Sequence, residues 1–127
     1  MSESQPVKDT ATFGMTENSK KVVKELIAAG YFKDQVDIIR LAIAIAIKQG
    51  LQPDISVGGR TTTHNLGTLD ENHSLRLVVK EVYPDFVDVP GRALEDLAEK
   101  GLAIIGQAYE ADSDDFALMS LARPTTE

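Results

Sequence analysis

Between Asp34 and Gln49 the chain runs for sixteen residues without a glycine or a proline. Within that stretch, RLAIAIAIKQG at 40–50 is apolar on nearly every side. Read by alternation, Leu41, Ile43, Ile45 and Ile47 mark one side of a strand, but alanine stands between each pair. Sixteen uninterrupted residues are long for a strand and ordinary for a helix. Asp34 can cap the start, Lys48 suits the negative end of the dipole, and Gly50 stops the turn. The segment is therefore predicted to be a helix. At 100° per residue, Asp37, Arg40, Ala44 and Lys48 share one narrow strip. Ile38, Ile39, Leu41, Ile43, Ile45 and Ile47 fill most of the remaining circumference. Such a helix must be covered on several sides. The residues before it are too few to surround it, so downstream helices or a second copy of the chain must help. Ala42 and Ala46 leave room for another helix to approach closely.

The rest of the chain supplies candidates for that cover. Residues 1–9 read as a polar arm containing Pro6. TATFGMT at 10–16 alternates, with Ala11, Phe13 and Met15 on one side, and reads as a short strand. From 16 to 30 the period changes to that of a helix. Val22, Val23, Leu26 and Ile27 form a stripe, and Lys20, Lys21, Lys24 and Glu25 form the other face. Thr16 or Asn18 can cap it, and Gly30 suits its left-handed exit. Residues 51–67, with Pro53 and Gly58-Gly59, read as a linker loop. The segment 68–122 reads as an acidic helical extension, followed by a tail at 123–127. Its helices are expected at 70–84, ending before Pro84, at 88–110 with Asp88 as cap, and as a short piece at 114–122.

Charge divides the chain unevenly. Of a net −7, residues 1–60 carry +1 and residues 61–127 carry −8. Only the first half tolerates a polyanion. There is no cysteine, which rules out disulfides, thiolate metal sites and thiol nucleophiles and matches a reducing, cytoplasmic setting. The N-terminus lacks the basic start and apolar core of a secretory signal, and the longest apolar run, LAIAIAI, is far too short to span a membrane.

Motifs of chemistry are weak. GGR at 58–60 lacks the spacing of a phosphate loop and reads as a turn. His64 and His73 are nine residues apart without a third ligand at suitable spacing, so no metal is expected. Adjacency of His73 and Ser74 is not triad geometry. Asp112, Asp114 and Asp115 read as a solvated acidic turn rather than a calcium loop. No catalytic residue and no cofactor is expected, and an enzyme is the weakest class.

The order strand, helix, tight turn, longer helix, carried by TATFGMT, KKVVKELIAAGYF and KDQVDIIRLAIAIAIKQG, resembles the ribbon-helix-helix family of DNA-binding proteins over residues 10–50. The resemblance implies a mainly α fold with an N-terminal strand that pairs with its twin across a dimer. Phe13, Met15, Ile39, Ala42, Ile43, Ala46 and Ile47 would then form the dimer interface. Thr10 and Thr12 would face the major groove of double-stranded DNA, Lys33 and Gln35 would sit at a phosphate-gripping helix start, and Lys8, Lys20, Lys21 and Lys24 would reach flanking phosphates. The implied function is a transcriptional regulator or antitoxin-like repressor, a dimer or higher oligomer, whose acidic half takes a protein partner. The alternative is a non-catalytic accessory subunit of a DNA-modification or defence complex, acting mainly through protein–protein contact.

Overall fold

A computed structural model describes residues 8–56 and 58–111. The fold is mainly α with one two-stranded antiparallel sheet. In chain order the elements are β1 (Thr12–Met15), α1 (Glu17–Ala28), α2 (Gln35–Lys48), β2 (Thr61–Asn65), α3 (Leu66–Leu69), α4 (Ser74–Val82), a 3₁₀ turn (Pro84–Phe86) and α5 (Pro90–Ala111). The short helix expected at 114–122 lies outside the described residues.

The helix over the Ile-rich stretch forms as its length and caps predict. Val36 N–H donates to the Asp34 carboxylate at 2.9 Å, and Lys48 occupies the last turn. At its start α1 is capped by Thr16, whose Oγ1 accepts from Ser19 N–H at 3.2 Å. Gly30, at φ 86°, closes α1, with Tyr31 N–H returning to Leu26 O at 3.1 Å. Only glycine adopts that left-handed geometry without cost.

Two points about cover are decided here: the linker reading is corrected, and of the two covers the sequence left open the downstream helix is the one seen. First, residues 51–67 are not a plain loop. Thr61, Thr62 and Thr63 are β-branched and fit an extended chain. The segment folds back as β2 and pairs with β1, Thr12 opposite Asn65 and Met15 opposite Thr61. The partner of β1 is thus a strand of the same chain. Second, α5 lies along α2 in the most extensive contact between elements of the structure. Phe13, Met15, Ile39, Ala42, Ile43 and Ala46, expected between twin molecules, are buried in one chain's core, and Ile47 packs at its edge. The reason is that α5 carries Leu94, Leu97, Leu102 and Ile105 on one buried face, enough apolar surface to cover α2. Each fully buried Ile of α2 stabilises the fold by about 1.5–3 kcal/mol relative to exposure. One hydrophobic cluster therefore runs from β1 to Ile105, through both the 10–50 unit and the 68–122 extension.

Polar ties hold the pieces in register. Asp96 of α5 is buried, with its side chain 3% exposed; it binds Arg60 at 2.9 Å and Lys100 at 2.5 Å, and accepts Asp54 N–H at 2.7 Å. This anchors the 51–60 loop to α5. The start of α5 is capped not by Asp88 but by Asp9, whose carboxylate accepts Gly91 N–H at 3.1 Å and Arg92 N–H at 3.0 Å. A distant residue brought near by folding satisfies the orphan donors that the local sequence leaves open. Asp70 does the same for α4, accepting Leu75 N–H at 2.8 Å and the Arg76 guanidinium at 2.8 Å. Burial alone would push the Asp70 carboxyl up, but Arg76 and the two backbone donors outweigh it and hold it below the ordinary carboxylate range.

Candidate nucleic-acid interface

The helical period of α1 buries Ser19, Val23 and Leu26 and leaves Glu17, Lys20, Lys21 and Lys24 on the outer side. Because β2 runs beside β1, this outer side faces the ribbon. Lys20 Nζ donates to Thr61 Oγ1 and to Glu17 at 3.1 Å. Lys20, Lys21 and Lys24 line an open groove of about 560 Å³ together with Glu17, Met15, Val23, Gln35 of α2 and Thr63 of β2. The α1–α2 turn thus brings Gln35 to the lysines, as the linear sequence does not reveal. Lys33 is exposed within that turn. Asp34 already accepts one donor of the α2 start, so the backbone grip expected there is partly filled by the protein itself.

The ribbon is bulged. Phe13 pairs with His64 and Gly14 with Thr62, so Thr63 is the extra residue of β2. Its hydroxyl lies 2.8 Å from His64 Nδ1, and the His64 ring packs edge-on to Phe13 at 6.4 Å between centroids. A bulge bends and twists its strand and re-aims the side chain there; here Thr63 reaches the lysine groove. Thr61, Thr62, Thr63 and Asn65 are all exposed, and none carries a charge.

A second, smaller groove of about 270 Å³ gathers Thr10, Thr12, Thr62, Gly58, Gly59, Arg60, Arg92 and Glu95. Thr10 and Thr12 are half-buried here and bonded to each other, Thr10 Oγ1 donating to Thr12 O at 2.9 Å and accepting Thr12 N–H at 3.1 Å. The Lys8 carbonyl accepts from Arg92 Nε, which places exposed Lys8 beside this groove. Arg60 is committed to Asp96 and Glu99, at 2.9 and 2.7 Å.

The expected binding residues thus fall into two groups. Lys20, Lys21, Lys24 and Gln35 meet Thr63 in one groove, while Thr10 and Thr12 line the other, beside Lys8. The strand most open to a ligand is β2, which lies in the segment that reads as a linker in the sequence. Thr62, Thr63 and Arg92 line these grooves and exposed Thr61 and Asn65 flank them on β2, none of them singled out by the sequence. Three successive β-branched residues after a Gly-Gly turn were the available signal.

Glu95 of α5 reaches the ribbon, where its carboxylate accepts Gly14 N–H at 2.7 Å. Burial pushes this carboxyl up, opposed by the Gly14 donor, Arg60 and Arg92. A carboxyl whose folded pKa is raised favours folding most when protonated, and that contribution is lost as pH rises through the folded value. Glu95→Gln retains an acceptor for Gly14 and removes the buried charge. The variant should be at least as stable as the parent at pH 7, with the difference narrowing as the solution is brought to about pH 4. Thermal melts across that range measure it; a gap that widens toward acid would contradict the environment described for Glu95.

Compared with family models, with curated proteins and with solved structures, the chain matches none.

Proposed function

We propose that this protein binds double-stranded DNA without making or breaking a bond, presenting the β1–β2 ribbon to a groove, and that it regulates transcription by occupying its site. The observation that carries this reading is the convergence of Lys20, Lys21 and Lys24 with Gln35 and Thr63 on one open groove beside the ribbon. A two-stranded ribbon fits the major groove of B-DNA. In this reading the lysines of α1 contact one phosphate wall, while Lys8 and Arg92, on the other groove's side, serve the opposite wall. Threonine and asparagine on β2 offer hydroxyl and amide contacts to base edges, which discriminate modestly. Acidic residues elsewhere in the second half disfavour phosphate and leave this face, which includes β2 and Arg92, as the one for DNA.

Titration of random-sequence duplex at increasing salt tests the reading. Three to five phosphate contacts should make the logarithm of affinity fall with a slope of about −3 to −5 against the logarithm of salt. Absence of binding even at about 20 mM salt would remove DNA as the ligand. The accessory-subunit reading is favoured by a separate observation, the exposed apolar face of α4.

A further inference from the structure

Most polar side chains of the ribbon are already spent within the protein. Thr10 and Thr12 bond to each other, with 3.2 Å between their Oγ1 atoms. The Thr61 hydroxyl takes Lys20 Nζ. Thr63 and His64 are paired at 2.8 Å, and the His64 ring lies against Phe13. Thr62 and Asn65 differ. Both are exposed, and among the described residues their side chains form no hydrogen bond. Asn65 stands at the N-cap position of α3, where asparagine ordinarily spends its side-chain oxygen on a backbone N–H, and it leaves that oxygen unspent.

In a regular strand two residues three apart point to opposite faces. The bulge at Thr63 removes that difference. Thr62 lies opposite Gly14 and Asn65 opposite Thr12, and these two positions of β1 share a face. Thr62 and Thr12 accordingly line one groove, while Phe13 and Met15 are buried on the other face. The two uncommitted side chains therefore stand on one face of the ribbon, the one turned away from the core. We propose that in the DNA complex inferred above, on which this step rests, Asn65 selects an adenine in the major groove and Thr62 contacts a neighbouring base pair. The asparagine amide carries a donor and an acceptor side by side, which match N7 and the N6 amino group of adenine. Guanine presents two acceptors there and cannot satisfy the amide in the same way. Thr62 has one hydroxyl and one methyl, so it accepts several bases and selects less. At about 3.4 Å per residue, the two side chains lie about 7 Å apart along the ribbon and meet different base pairs.

Selection of bound duplexes from a random pool by the full chain, followed by titration of the selected site, tests the assignment. The parent should enrich one A·T pair, and replacing that pair by G·C should weaken binding on the order of tenfold. Asn65→Ala should abolish that preference yet leave affinity for random duplex and its salt slope unchanged, because no phosphate contact is lost. Its thermal melt should match the parent's, since the side chain makes no capping bond. Asn65→Gln keeps the amide and should retain the preference for adenine in part. Thr62→Val should leave the A·T preference intact and flatten selection only at a neighbouring position. A parent that binds duplex without preference, or an Asn65→Ala variant that still prefers the A·T pair, would overturn the proposal and leave DNA binding standing. A parent that binds no duplex at all would remove DNA as the ligand and the role of Asn65 with it.

Discussion

Gly101→Ala is expected to destabilise the protein by at least about 3 kcal/mol, at or beyond the upper end of ordinary overpacking. A Cβ at Gly101 would lie 1.9 Å from the Ala42 carbonyl oxygen and 2.5 Å from its carbon. Both are backbone atoms, so no side-chain rotation can relieve the clash, and α2 and α5 must separate. Separation would open the contact that buries Ile38, Ile39, Ile43 and Ile45. Gly67→Ala is the control, since an added Cβ there meets nothing within 4 Å. Chemical denaturation should show a lower midpoint for Gly101→Ala with the slope preserved, and a near-parental curve for Gly67→Ala. Parental stability of Gly101→Ala would mean that α5 does not cross α2 at Ala42, and that the cover of the Ile-rich helix comes from elsewhere.

Replacing Lys20, Lys21 and Lys24 together by glutamine should lower affinity for duplex DNA on the order of 100-fold at about 0.1 M salt. It should also make the salt slope shallower by about 2.7, corresponding to three lost phosphate contacts. Lys21 and Lys24 are exposed and Lys20 half-buried at the groove, so the fold should survive, as circular dichroism can verify. Lys48→Gln is the charge-matched control for position. It lies on α2 about 20 Å along the helix from Gln35 and should leave both affinity and slope almost unchanged. Equal losses for Lys48→Gln and for any one of the three groove lysines would reduce the attraction to net charge alone. An unchanged slope in the triple variant would remove the groove from DNA contact.

Local physical chemistry made several elements legible in advance. Period, caps and stop signals predicted α1 at 16–30, α2 from Asp34 to Gln49, and α5 at 88–110. Each is present within a few residues, at Glu17–Ala28, Gln35–Lys48 and Pro90–Ala111. The alternation in RLAIAIAIKQG misleads only when length is ignored. The lysine face of α1 was legible for the same reason, since a 3.6-residue period sorts Lys20, Lys21 and Lys24 to one side before any fold is known. Less legible was β2, because three threonines between Gly59 and His64 carry no alternation of apolar and polar residues, the usual mark of a half-buried strand.

By itself, the sequence required that the Ile-rich helix be surrounded, because leaving so many apolar side chains in water has too high a free energy. Through the placement of charge it also made the first half of the chain the more tolerant of a polyanion, although β2 and Arg92 of the proposed contact lie beyond residue 60. Only the tertiary structure decided what does the surrounding and where the lysines point. Hydrophobic burial is non-directional, so α5 of the same chain satisfies it as well as a twin molecule would. The close approach at Gly101, the capping of α5 by Asp9 and the meeting of Lys20 with Thr61 join residues 41 to 83 positions apart. Contacts at such separations depend on the whole packing arrangement, and no local pattern encodes them.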